Sequence, residues 1–186
     1  VFTSDDQGAS WSDVSMNDDM YYWTKDITID PNDATQNTWY VSVFSGWGGA
    51  PNGLGGLFKT TDRGVNWTKL TGTQFDRVTS LTFNPQNGNQ AYLTTETQGL
   101  WMSNNMNVAM PVWSLVDSYP FRQPERVYFN PFNQNEMWVS SFGNGIKVGL
   151  LSGGSGLADF GQNNASIVVY PNPVKDQLQL VISKGM

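Results

Sequence analysis

Thr60-Thr61-Asp62-Arg63-Gly64-Val65-Asn66-Trp67 decides the fold, because its pattern has already occurred at Ser4-Asp5-Asp6-Gln7-Gly8-Ala9-Ser10-Trp11. Both stretches read Ser/Thr-x-Asp-x-Gly-x-x-Trp. That spacing describes a tight turn: the carboxylate can accept hydrogen bonds from backbone N–H groups just ahead of it, and glycine tolerates the left-handed backbone that other residues resist. The Trp then leaves the turn and is expected to be buried at the start of the next strand. Ser103-Asn104-Asn105-Met106-Asn107, leading to Trp113, is a decayed third copy with Asn where Asp and Gly stood.

A second signature recurs alongside the first. An apolar alternation ends in Asp/Asn-Pro and is followed by an aromatic-rich strand: Ile27-Thr28-Ile29-Asp30-Pro31 before Trp39-Tyr40-Val41, Leu81-Thr82-Phe83-Asn84-Pro85 before Ala91-Tyr92-Leu93, and Val127-Tyr128-Phe129-Asn130-Pro131 before Met137-Trp138-Val139. Pro31, Pro85 and Pro131 are 54 and 46 residues apart, and Asp6 and Asp62 are 56 apart. Periods of that size suit propeller blades of four short antiparallel strands. The fold class expected is therefore all-β, a partial β-propeller. Its blades are a remnant in residues 1 to about 16, two whole blades and a final partial one. A ring needs roughly four to eight blades, so the expectation is the C-terminal part of a longer polypeptide.

The repeats resemble the Asp-boxes, or bacterial neuraminidase repeats, of sialidases, xyloglucanase-type glycoside hydrolases and sortilin-type receptors, over about residues 1–149. The resemblance implies that Ser4, Asp6, Gly8, Trp11, Thr60, Asp62, Gly64 and Trp67 are structural rim positions, remote from the face where such propellers bind ligands. Fold kinship carries no site with it. No acid/base pair of the xyloglucanase type and no arginine triad of the sialidase type can be matched, although Arg77, Arg122 and Arg126 are present. A glycosidase needs two carboxylates about 5 Å or about 6.5 to 9.5 Å apart, and no complete active site is legible.

Composition removes other classes. Ten Lys and Arg stand against 16 Asp and Glu, for a net charge of −6, which disfavours nucleic acid as a partner and equally an anionic membrane surface. No apolar run reaches the ~18 residues of a membrane-spanning helix. His and Cys are absent, which removes most zinc, haem and iron–sulfur options. No cofactor or metal is assigned; for a hard cation, only Asp18-Asp19 and Asp30-Pro31-Asn32-Asp33 offer oxygen ligands, and neither has the spacing of a recognised calcium loop.

Ligand contacts are sought among aromatics on loops. Tyr21-Tyr22-Trp23 cannot all face one side of a strand, so at least one is exposed or in a loop. They serve either inter-blade packing or sugar stacking. Phe44 to Gly56 is a glycine-rich loop carrying Trp47, which either contacts ligand or folds over a neighbouring blade. Arg122 and Arg126 beside Glu125 can fork to sugar hydroxyls or pair with Glu at a blade junction. Three functions follow: an extracellular glycoside hydrolase acting on polysaccharide, a non-catalytic glycan- or protein-binding (adhesion or sortilin-like) propeller, and pure scaffold.

After Gly149 the composition shifts to a Gly/Ser/Asn linker, residues 150–165. Residues 166–186 then read as strand, Pro-Asn-Pro turn, strand. Tyr170-Pro171-Asn172-Pro173 with Leu178-Gln179-Leu180 resembles the start of the type A C-terminal sorting domain of the type IX secretion system of Bacteroidetes, a small immunoglobulin-like sandwich. The resemblance implies export across the outer membrane to a secreted or cell-surface location, with the type IX translocon and an outer-membrane shuttle barrel as partners.

Overall fold

The computed structural model describes residues 1–15 and 19–151, and beyond them the backbone of strands at 157–158, 166–170 and 179–183. Strands β1 (Phe2–Thr3) and β2 (Ser12–Asp13) form a two-stranded pair. Three four-stranded antiparallel sheets follow. Sheet I is β3 (Thr24–Ile29), β4 (Trp39–Val43), β5 (Gly56–Thr60) and β6 (Thr68–Lys69). Sheet II is β7 (Val78–Asn84), β8 (Asn87–Thr95), β9 (Gly99–Ser103) and β10 (Ser114–Leu115). Sheet III is β11 (Pro124–Phe129), β12 (Glu136–Ser141), β13 (Gly145–Leu151) and β14 (Leu157–Ala158). A separate hairpin pairs β15 (Ser166–Tyr170) with β16 (Gln179–Ser183), Val169 opposite Leu180. Among the described residues there is no helix, and the all-β expectation of four-stranded antiparallel blades holds.

Two details differ from the sequence reading. The final sheet is complete in four strands, not partial, and its fourth strand lies inside the stretch read as linker. Leu157–Ala158 pairs with Leu150 and Leu151, a two-residue bridge too short to stand out from its Gly/Ser surroundings.

The core lies between sheets. Because strand side chains alternate, a strand flanked on both sides is buried on both faces, and every residue of β4, Ser42 included, is buried. Tyr40 points one way, into a cluster with Leu57, Phe75, Val78, Leu81 and Leu93. Val41 and Val43 point the other way, with Met20 and Phe58. In β8, Leu93 joins the first of these clusters while Tyr92 joins Leu100, Val127, Met137 and Val139 between sheets II and III. Each fully buried large side chain is worth about 1.5–3 kcal/mol relative to exposure.

The Asp/Asn-Pro signature has a local cause. The side-chain oxygens of Asp30, Asn84 and Asn130 each accept from the N–H two residues on, all at 2.9 Å, across a proline that has no N–H of its own. Threonine hydroxyls then join sheets: Thr28 donates to the Leu81 carbonyl at 2.9 Å, and Thr82, its counterpart one repeat later, to that of Val127 at 3.0 Å. The first strand of each four-stranded sheet also carries a register shift near its start, at Thr24/Asp26, Val78/Ser80 and Pro124/Arg126.

Candidate functional site

In an antiparallel meander the first-to-second and third-to-fourth connections share one end of the sheet, and the second-to-third connection lies at the other. The Ser/Thr-x-Asp turns and the glycine-rich loop therefore occupy opposite ends.

At the turn end the chemistry is local. Thr60 Oγ1 donates to Asp62 Oδ1 (2.7 Å) and accepts from the Gly64 N–H (2.9 Å), while Asp62 accepts from the Asn66 N–H (2.8 Å) and side-chain amide (2.7 Å). Ser4, Asp6, Gly8 and Ser10 repeat this arrangement at 2.8, 2.7, 2.8 and 2.6 Å. Gln7–Gly8 and Arg63–Gly64 share positive φ angles of 60° and 92°. In the third copy Ser103 donates to Asn105 Oδ1 at 2.8 Å, and Asn105 accepts from the Val112 N–H at 2.9 Å. The amide thus occupies the carboxylate's place. Hydrogen bonds from the Ser10 hydroxyl and N–H, then from Ser4, hold Asp6 down to about 2, and Asn66 lowers Asp62 in the same way.

The fates of the two tryptophans diverge from expectation. Trp67 is half-buried, and its indole N–H donates to the Val14 carbonyl at 2.7 Å. Trp11 is 63% exposed and bonds only within its own turn, to the Gly8 carbonyl at 3.2 Å. The turn alone does not bury its Trp; a neighbouring strand pair must be there to receive it. The oxygen ligands weighed for a cation at Asp30–Asp33 are consumed by turn geometry. Asp30 accepts from the Asn32 N–H and the Tyr40 hydroxyl, Asp33 from Thr35, Asn37 and Thr38 N–H groups. Asp18 lies outside the described residues. Among those described, no three His, Cys, Asp or Glu side chains gather as a metal site.

At the loop end equivalent positions carry different chemistry. The residue opening each second-to-third loop donates its N–H to the residue just before the sheet's first strand: Phe44 to Trp23, Glu96 to Arg77, Phe142 to Gln123. Sheet I thus presents an aromatic pair, sheet II an ion pair and sheet III an amide with a phenyl ring. Trp47 adds to the first. Its ring lies 4.4 Å from that of Trp23, tilted 31°, and 5.9 Å from that of Phe44, yet it remains 60% exposed. A pocket of about 440 Å³ is lined by Phe44, Trp47, Gly48, Gly49, Arg77 and Glu96. Arg77 Nη1 donates to Glu96 Oε2 at 2.5 Å.

The register shifts lie at this same end. Inserting an extra residue re-aims side chains, and the extra residues of sheets I and III, Lys25 and Glu125, pair at 3.7 Å. Beside them Arg126 reaches Asp26 at 2.5 Å. Asp26 is only 8% exposed, and its other oxygen has no partner among the described residues.

Of the aromatic candidates, the structure pairs Trp23 with Trp47 and Tyr21 with Tyr22. Tyr22 is 78% exposed, and its ring packs 4.3 Å from that of Tyr21, whose hydroxyl donates to it at 3.2 Å. Trp47 stacks on Trp23 and Phe44 of its own sheet and lines a pocket with Arg77 and Glu96 of the next. Arg122 is exposed, and the pairing weighed for it falls to Lys25–Glu125 and Asp26–Arg126. Asp76, Arg77 and Glu96 were not read as site residues. Of the tail positions, Tyr170 and Leu180 lie on the hairpin, whereas Pro171, Asn172, Pro173 and Leu178 fall outside the described residues.

No protein-family model matches the sequence, and no curated protein matches it. Solved structures do. An ancestral GH74 enzyme superposes with a TM-score of 0.53 at 22% identity over 73% of this chain and 18% of its own. The GH74 xyloglucanase from Xanthomonas campestris gives 0.56 at 18% identity, over 85% and 27%. The Niastella koreensis GH74 enzyme gives 0.52 at 21%, over 87% and 26%. The chain spans about a quarter or less of these proteins, and at such identities what it shares with them is the architecture of their four-stranded antiparallel sheets.

Proposed function

We propose that this chain is a segment of a secreted or cell-surface propeller that acts on polysaccharide, with a glycan-contacting surface at the loop end. One observation carries the reading: Trp47 stacks on Trp23 yet stays 60% exposed beside a pocket bounded by Arg77 and Glu96. An aromatic face next to a carboxylate and a guanidinium suits the apolar side and the hydroxyl rim of a pyranose ring. Tyr21, Tyr22 and Arg122 extend the surface. The likeness to GH74 folds supports the polysaccharide class.

Affinity electrophoresis in gels cast with xyloglucan tests this reading. Retarded migration that Trp47→Ala abolishes is the expected result. Migration unaffected by xyloglucan, cellulose derivatives and mannans alike would remove the glycan surface.

A non-catalytic binding role for these residues has its own support. Asp26, Asp76, Glu96 and Glu125 at the loop end are each engaged, by Arg126, by the Gly53 and Gly55 N–H groups, by Arg77 and by Lys25. None stands ready as a free acid or base, so on this reading any hydrolytic pair comes from elsewhere in a longer protein. Reducing-sugar release by this chain alone would contradict that.

The Ser/Thr-x-Asp turns are read as Asp-box staples of the rim, and residues 166–186, after the 150–165 linker, as the start of a type IX sorting domain. Deleting 166–186 from the protein in a host carrying that system should abolish surface accumulation; unchanged export would refute the assignment.

A further inference from the structure

The glycine-rich loop should be hard to order. Fixing one residue's backbone costs about 1–2 kcal/mol, glycine most of all, and residues 45–55 include Gly46, Gly48, Gly49, Gly53 and Gly55. Two consecutive residues from the neighbouring sheet offset that cost. On the later arm, the Asp76 carboxylate accepts from the N–H groups of Gly53 and Gly55, both at 3.0 Å. On the earlier arm, Arg77 donates from Nε to the Ser45 carbonyl (3.0 Å) and from Nη2 to those of Gly46 (2.8 Å) and Gly49. The Asp76 carbonyl also accepts from the Ser45 N–H at 3.0 Å.

The fit is close as well as bonded. A Cβ on Gly55 would lie 1.8 Å from the Asp76 carbonyl oxygen, and one on Gly46 would lie 2.1 Å from that of Ala50. These glycines let backbones approach and do not act as hinges. Arg77 is itself aimed by Glu96 and sits 5.1 Å from the Phe44 ring centroid. At the equivalent positions of the other sheets stand Trp23 and Gln123, neither of which can present a charged fork to a row of carbonyls.

We infer that Asp76 and Arg77 are positioning residues: from sheet II they hold both arms of the sheet I loop so that Trp47 is preset against Trp23, with Glu96 orienting the guanidinium. The binding consequence rests on Trp47 being the glycan contact; the clamp itself does not. A preformed loop spares binding the cost of ordering it.

Two readouts separate the clamp from the binding role. Stacked indoles give exciton-coupled circular dichroism, and the Trp23–Trp47 contribution is the part removed by Trp47→Phe. In Arg77→Met and Asp76→Ala that contribution should disappear while thermal unfolding stays a single transition, and affinity for xyloglucan should fall about tenfold, the scale of one such ordering cost. Glu96→Gln, whose carboxylate pairs with Arg77, should give a partial loss of both. An intact exciton signal in Arg77→Met and Asp76→Ala would overturn the clamp. A lost signal with unchanged xyloglucan affinity would keep the clamp and refute Trp47 as the contact.

Discussion

The two ends of these sheets use the same bond, an aspartate accepting backbone N–H groups, at very different range. Asp62 takes the N–H of Asn66, four residues on, inside its own turn. Asp76 takes those of Gly53 and Gly55, 23 and 21 residues back, across a sheet boundary. The first arrangement can be copied from repeat to repeat because it needs nothing beyond itself. The second exists once among the described residues, where a particular loop meets a particular neighbour. Local satisfaction gives a repeating rim, and distant satisfaction gives a singular surface.

The largest expected effect breaks the distant arrangement. Gly55→Val forces a side chain into the Asp76 carbonyl and should cost about 2–3 kcal/mol, read as a lower midpoint in urea, with loss of xyloglucan retardation. A value under half of that would mean the loop yields freely. Next, two glycines share φ = +92° but differ in surroundings: a Cβ on Gly64 would lie 2.7 Å from Val14 Cγ2, whereas on Gly8 it would meet only Trp11 at 3.8 Å. Alanine at either position incurs backbone strain of about 1–3 kcal/mol, and Gly64→Ala should be the worse of the two by denaturant titration. Equal losses would show that the neighbouring strand pair adds nothing.

Smaller effects test the local bonds. Thr60 is buried, and Thr60→Val leaves the Gly64 N–H without its acceptor, so a loss of about 1–2 kcal/mol is expected. Ser4→Ala, in the exposed copy, should change little. Smallest of all is Asp62→Asn at neutral pH, because Asn105 shows that an amide oxygen can take the Oδ1 bonds, leaving only the exposed charge and the Asn66 amide bond to Oδ2 to be lost. The difference should narrow in acid. The carboxyls of Asp6 and Asp62 are lowered in the folded state, so their stabilisation is complete above the ordinary carboxylate pKa and fades as pH falls below it. Asp62→Asn should therefore show a shallower loss of stability from pH 5 towards pH 2 than the parent protein. Parallel profiles would mean the turn's charge contributes nothing.

This contrast in range also explains what could be read from the residues alone. The turns and the Asp/Asn-Pro signatures were legible because their partners lie within a few positions, and the strands because Tyr40, Val41, Tyr92 and Leu93 alternate between two cores. Trp47 and Trp23 could be nominated by exposure chemistry but not paired, since 24 positions separate them in the sequence. Arg77 reads from the sequence only as one of three arginines without triad spacing, and its loop partners lie 28 to 32 residues away. A run of glycines looks like slack when its clamp lies beyond the window being read. Trp11 and Trp67 had identical local sequence logic, and only the strands around them set them apart.

The register shifts near the start of β3, β7 and β11 act as phase breaks. Two residues face one at each shift, so the in-and-out order of the strand beyond it does not dictate which way the residues before it point. Trp23, Arg77 and Gln123 can thus differ from sheet to sheet while the strands beyond the shifts keep the same in-and-out order. The molecule is in that sense a keyboard: a fixed frame along one edge, and along the other a row of differently labelled keys, one of which, Arg77, also holds its neighbour in place.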